Sequence, residues 1–234
     1  EMQEELEWIA AHDPLTGLYN RRHFERLARA RHADCARDGQ SFALLWIDID
    51  NFKSVNDRFG HRVGDSVLRE IGGLTADVAR GVGLATRYGG DELVLALPDK
   101  TLDAAMAIAE NLRKRVETAS FLSAHAKASG PTLSIGVAVG DAARLTLDAL
   151  LVAADHAMYR AKAGGRARWA LYQAGHDTAS VTRLQLEADL RTSLYRRYVG
   201  LSHSFFDRWQ SGQLISRAQS DVRAVQMFFT VSPL

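Results

Sequence analysis

The chain has 234 residues, 47% hydrophobic and 24% charged, which supports one good-sized globular domain and leaves residues over for something more. Its 29 Lys and Arg against 28 Asp and Glu leave a formal charge of +1, so no bulk field draws it to nucleic acid or to an anionic membrane, and any anion has to be held locally. The one cysteine, Cys35, has no disulfide partner in the chain and reads as an inert thiol suited to a reducing cytoplasm.

Residues 1–11 place Leu6 and Ile9 among charges at helical spacing, as the end of an amphipathic or coiled-coil helix does. Glu1 is not a start methionine, so residues 1–12 are expected to be the end of a signalling helix that enters from an upstream sensor domain. Asp13-Pro14 breaks that helix, residues 15–20 are turn chemistry, and a second helix runs from about Arg21 to Arg37. Residues 42–49, FALLWIDI, form a nearly continuous apolar run suited to a strand buried on both faces and ending in acids, Asp48 and then Asp50.

A helical pattern covers 63–78, strands 84–88 and 93–97 flank Gly89-Gly90-Asp91-Glu92, and 101–118 is helical. Residues 133–139 read as an apolar strand, 147–163 as a helix and 169–172 as a short edge strand. Gly175-His176-Asp177 looks like a boundary, beyond which Arg occurs without Lys. No run approaches the roughly 18 apolar residues of a membrane helix, and the N-terminus lacks the pattern of a secretion signal.

Strands alternating with helices imply a layered sheet with helices on it. In such a sheet the end of 42–49 and the turn at 89–92 come together if their strands pair, which brings Asp48 beside Asp91. Two carboxylates and the intervening Ile49 carbonyl offer the hard oxygens that Mg²⁺ uses on a triphosphate. The paired glycines remove Cβ atoms where a nucleotide approaches and permit positive φ in a tight hairpin. Taken alone, Gly-Gly-Asp-Glu fits a plain turn with solvated acids equally well.

The whole array resembles the GGDEF family of diguanylate cyclases over about residues 10–172. Asp13-x-Leu15-Thr16-Gly17-Leu18-x-Asn20-Arg21-Arg22 is similar to that family's opening signature, and Asp48-Ile49-Asp50-x-Phe52-Lys53-x-x-Asn56-Asp57, Gly60-His61 and Gly64-Asp65 to its nucleotide-binding stretch. Gly89-Gly90-Asp91-Glu92-Leu93 is the signature loop, with Leu where Phe is commoner. Residues 133–138, LSIGVA, and Ala154-Asp155-x-Ala157-Met158-Tyr159-x-Ala161-Lys162-x-x-Gly165-Arg166 complete the set.

The resemblance implies an α/β (α+β) palm-type, ferredoxin-like nucleotidyl cyclase fold: a central, mainly antiparallel sheet flanked by helices over 13–174, with a helical tail over 175–234. It implies condensation of two GTP into cyclic di-GMP with release of two pyrophosphates across a homodimer. Asp48, Ile49 and Asp91 would hold Mg²⁺ or Mn²⁺; Asp91, Glu92 and Lys53 would be catalytic. Asn56 and Asp65 would read the guanine edge, and a carboxylate suits its paired donors. His61, Phe52, Gly89 and Gly90 would line the substrate, and Lys162 and Arg166 would meet phosphates. Asp50 and Asp57 are read as supporting acids, and Arg21 and Arg22 as capping or surface-pairing residues. The rival reading is a catalytically weak GTP-binding or cyclic di-GMP-binding regulatory module.

Two departures stand out. Relatives commonly carry Arg-x-x-Asp before the signature, a product-inhibition site; here Arg80 is retained but Gly83 replaces the Asp, which predicts weak or absent product inhibition. Ala167 stands where Asn is common after the Gly-Arg pair. Residues 195–234 resemble a fragment of an ABC exporter membrane domain, and 184–194 suit either that or the opening helix of a phosphodiesterase domain. Without the motifs of either, this tail reads as a remnant, or as a helix pair that docks on the cyclase, and no transport or product hydrolysis is expected from it.

Overall fold

A strand with apolar side chains on both faces needs cover on both faces, and Ser41–Ile49 meets that condition: every residue after Ser41 is buried. The computed structural model describes residues 2–119, 121 and 130–172, with residues 186 and 193. In chain order the elements are α1 (Met2–Ala11), β1 (Tyr19–Asn20), α2 (Arg21–Arg37), β2 (Ser41–Ile49), α3 (Phe52–Phe59), α4 (His61–Ala79), β3 (Leu84–Arg87), β4 (Glu92–Pro98), α5 (Leu102–Thr118), β5 (Leu133–Asp141), α6 (Leu147–Ala163) and β6 (Arg168–Leu171). The chain divides between Gly175 and His176 into two units, and this fold belongs to the first.

The six strands form one mixed sheet in the order β1-β3-β4-β2-β5-β6. β2 is central and antiparallel to both β4 and β5, and β3 is antiparallel to β4. The outer pairs, β1 with β3 and β5 with β6, are parallel. The sheet is thus mainly antiparallel at its centre, as expected from the resemblance, with helices on both faces.

Side-chain alternation along β2 assigns those faces. Ala43, Leu45, Ile47 and Ile49 belong to the core that α4 fills with Val67, Leu68 and Ile71 and α5 with Ala105, Ala109 and Leu112. Phe42, Leu44 and Trp46 turn the other way, where the ring of His32 on α2 packs edge-on to Phe42 at 5.2 Å. Asp48 shares that second face, on the side of α2 and α6. The helices start on side-chain caps: Asn20, Thr101 and Thr146 accept from the backbone N–H groups of His23, Ala104 and Ala149, each satisfying a donor the helix cannot.

Sequence and structure differ locally. The helix expected over 63–78 runs His61–Ala79, and a separate helix, α3, precedes it from Phe52. Its pattern is short and interrupted at Gly60, whose φ of 84° lets the chain turn directly from α3 into α4. Tyr19 and Asn20, read as turn, add a two-residue parallel strand beside Thr86 and Arg87.

Candidate active site

The register of β2 against β4 pairs Asp48 with Glu92. Just beyond that pair the Ile49 N–H donates to the Asp91 carbonyl at 3.2 Å, so the acidic strand end and the signature turn are tied backbone to backbone. Asp48 is buried. Lys162, from the last turn of α6, donates to its Oδ2 at 2.6 Å. Lys162 reaches that far because α6 lies hard against β5: a Cβ on Gly136 would collide with the Ala154 carbonyl and the Met158 amide.

The charges at this strand end raise one another. Burial pushes the Asp48 carboxyl up to about 6; Lys162 opposes this, while the charges of Asp91 and Glu92 add to it. Burial likewise raises Glu92, helped by Asp155 of α6 and by Asp91, against the pull of Lys162. Crowded, poorly solvated carboxylates with a single ammonium against them are the donor chemistry of a hard divalent cation. Among the described residues no three His, Cys, Asp or Glu side chains form a metal cluster by themselves.

The signature turn is clamped from outside. Arg87 donates through Nε and Nη2 to the Gly90 carbonyl at 3.1 and 2.8 Å, and through Nη1 to both carboxylate oxygens of Asp13 at 3.3 and 3.4 Å. Asp13 also accepts from the Thr16 amide and hydroxyl. Neither Gly89 nor Gly90 adopts positive φ, contrary to the sequence expectation. Gly89 instead makes room, since a Cβ there would stand 2.6 Å from Glu92 Oε2. Leu93 is fully buried behind the turn.

The guanine-reading candidates meet at the junction of α3 and α4. Asn56 on α3 lies against Gly64, and Asp65 follows in the next position of α4. Phe52, expected to touch substrate, is buried at the edge of the core, with its ring end directed at Gly64. Lys53 and His61 are exposed; Lys53 lines a cavity of about 520 Å³ with Asn51, Ser54, Asp57 and Arg58. Arg166 is exposed in a left-handed turn, φ 62°. The Ala167 N–H of that turn donates to Asp50 Oδ2 at 3.1 Å.

Asp50 is therefore a structural hub. Buried, it accepts from the Thr132 and Ser134 hydroxyls at 2.7 Å each and from Ala167, joining the end of β2, the start of β5 and the turn that carries Arg166. Sequence reading set Arg87 beside the signature and Asp155 in the later motif without giving either a role, and did not assign Trp46 to the site. The strand period pointed to Trp46, two positions before Asp48 on the same face, but nothing local to Asp155 points at Glu92. Arg21 pairs with Glu25 at 2.9 Å and lies over the Tyr88 ring at 4.3 Å.

A mixed sheet whose central strand ends in a carboxylate paired with an acidic turn, with the guanine-reading candidates at the next helix junction, matches a nucleotidyl cyclase domain. The chain belongs to the diguanylate cyclase GGDEF domain family, whose profile matches residues 10–168. It is 42% identical over 159 residues to the response regulator PleD of Caulobacter vibrioides, covering 68% of this chain and 35% of that protein. It is 40% identical over 170 residues to diguanylate cyclase DgcM of Escherichia coli K12, covering 71% and 40%. The coiled coil and GGDEF domain of DgcB from Caulobacter crescentus, solved in complex with c-di-GMP, superimposes with a TM-score of 0.67 at 29% identity, covering 73% of this chain and 90% of that one. The chain thus spans well under two thirds of the curated relatives' length. The likeness of residues 195–234 to an exporter membrane domain is not supported by these comparisons and is withdrawn; those residues also lie outside the described ones. No helix among the described residues is long and apolar enough to cross a membrane.

Proposed function

We propose that this chain is a diguanylate cyclase: two GTP molecules are joined into cyclic di-GMP, and two pyrophosphates leave. The observation that carries the reading is the pairing of Asp48 with Glu92, beside the Ile49–Asp91 backbone bond. It sets Asp48 and Glu92 side by side, next to the turn that carries Asp91, where a triphosphate could share a cation. Asp48, Asp91 and the Ile49 carbonyl would hold Mg²⁺ or Mn²⁺, which when bound offsets phosphate charge.

Each GTP would sit on one domain, with Asn56 and Asp65 on its guanine edge and His61 nearby, so two copies of the chain must meet face to face as a homodimer. The 3′-oxygen of one GTP attacks the α-phosphorus of the other; the new O–P bond forms as the bond to the β-phosphate oxygen breaks. Asp91 would help take the hydroxyl proton, with Glu92 beside it. Lys53, Lys162 and Arg166 would balance the developing phosphate charge. Arg80 without an acid at Gly83 leaves the product brake incomplete. An upstream sensor would set the dimer, acting in the cytoplasm, where the buried thiol of Cys35 is at home.

The Lys162–Asp48 ion pair also suits a second reading, a module that binds GTP or cyclic di-GMP without turnover. One experiment separates them: the full chain, concentrated, is given GTP and Mg²⁺ beside an Asp91→Ala control. Cyclic di-GMP and pyrophosphate from the parent alone are expected. GTP binding without product would overturn the cyclase reading in favour of the module.

A further inference from the structure

The contact between Asn56 and Gly64 does something the chemistry of the acids does not. Gly64 is buried in the first turns of α4 and has no need of unusual backbone torsion. A Cβ there would collide with Asn56 Oδ1, and would stand 3.0 Å from Asn56 Cγ and 3.3 Å from Phe52 Cζ. The first obstacle is the far end of a side chain that can rotate, so an alanine at 64 is accommodated by turning the Asn56 amide away, with little demand on the backbone. Elsewhere on the same helix, Gly73 has nothing within 4 Å of its would-be Cβ.

We propose that Gly64 is a positioning residue for nucleotide selectivity: its missing Cβ is the socket that holds the Asn56 amide in the pose that reads the purine beside Asp65. This rests on the guanine-binding reading of Asn56 given above. The amide is held by shape, against the α4 backbone and the edge of Phe52, and so the buried Phe52 ring serves the site as the floor of that socket.

The test uses the full chain and 3′-deoxy-GTP, which binds but lacks the attacking hydroxyl, compared with 3′-deoxy-ATP, by calorimetry with Mg²⁺. For Gly64→Ala the expected result is a loss of one hydrogen bond's worth of preference, about five- to tenfold weaker 3′-deoxy-GTP with 3′-deoxy-ATP unchanged, and a melting temperature no lower than the parent's. In the Asn56→Ala background, Gly64→Ala should add no further loss. The control Gly73→Ala should leave both affinities as they are.

Equal weakening of both nucleotides, unchanged 3′-deoxy-GTP affinity in Gly64→Ala, or a full additional loss in the double variant each overturns the proposal. Should Gly64→Ala fail to fold, Asn56→Ala must restore folding to it, because the colliding oxygen is gone; failure to do so also overturns it. If Asn56→Ala alone leaves 3′-deoxy-GTP binding unaltered, the guanine assignment itself falls, which is a different result from losing only the Gly64 role.

Discussion

Lys162 Nζ stands 2.6 Å from Asp48 Oδ2, so the last turn of α6 supplies the charge that opposes a carboxylate buried at the end of β2. The same ammonium that keeps Asp48 ionised competes with any cation that Asp48 is to bind. Lys162→Met should therefore move two affinities in opposite directions. Mn²⁺ alone should bind about three- to tenfold more tightly, since a nearby positive charge is gone, while 3′-deoxy-GTP with Mg²⁺ should bind more weakly. Calorimetric titrations of each check this; a parallel change in both would argue that Lys162 only holds α6 in place.

Asp48 also makes the metal-free domain pH-sensitive. Its carboxyl is raised from 3.8 to about 6 in the folded state, so the folded chain holds a proton that the unfolded chain has released. Stability from this group is therefore greatest below about pH 4, falls as pH rises toward 6, and levels off above. Asp48→Asn, which cannot ionise, should lack that fall. At pH 7 the metal-free variant should gain at most about 3 kcal/mol on the parent relative to their difference at pH 4, measured by urea unfolding at both pH values, and it should make no cyclic di-GMP.

The missing acid at position 83 should not be restorable by substitution. A Cβ on Gly83 would collide with the Ala96 carbonyl oxygen and lie 2.7 Å from Leu97 Cδ2, so Gly83→Asp pushes β4 away and sets a carboxylate against a carbonyl. Arg80, for its part, pairs with Asp77 at 2.8 Å. Gly83→Asp should lower stability by about 1–3 kcal/mol without creating tight binding of cyclic di-GMP. Thermal melts with and without added cyclic di-GMP read both effects.

Arg87 links the turn at Asp13 to the carbonyl of Gly90, and the ion pair is mostly buried, each side chain 19% exposed. Burial pushes the Asp13 carboxyl up, but its bonds from Thr16 and the Arg87 charge outweigh that and leave it below the ordinary value. Its contribution is thus present above about pH 4 and lost as pH falls further. Arg87→Met should cost about 1–3 kcal/mol by stranding Asp13 and the Gly90 carbonyl. Turnover should fall more than 3′-deoxy-GTP affinity, because the loosened turn carries Asp91 while Asn56 and Asp65 lie elsewhere. Steady-state kinetics beside binding at neutral pH would separate the two.

Much of the fold was legible because it rests on periodicity. The apolar run 42–49 suited a strand buried on both faces, and strands flanking Gly89-Gly90 announced β3 and β4. What escaped was short or cooperative. Helix α3 has eight residues and little pattern, and the two residues of β1 have no signal of their own, being a strand only because Thr86 and Arg87 lie beside them. The glycines of the signature were read as clearing space for a nucleotide and as permitting positive φ; neither adopts positive φ, and a Cβ on Gly89 would meet Glu92 Oε2. Phe52 was grouped with the substrate residues through the family resemblance, and the first turn of α3 directs it into the core.

By itself, the sequence determined the order of the longer strands and helices, the family to which residues 10–168 belong and the acids that end the central strand. Those properties depend on spacing of two to four residues and on the chemical type of each side chain. Only the tertiary structure decided that Lys162 sits on Asp48 from 114 positions away, that Asp50 ties β5 and the Arg166 turn together from 84 and 117 positions away, and that Gly64 shapes Asn56. Contacts across such separations are fixed by how closely α6 can approach β5 at Gly136 and α4 can approach α3 at Gly64. Close approach of packed backbones is a property of the folded chain that no local pattern encodes.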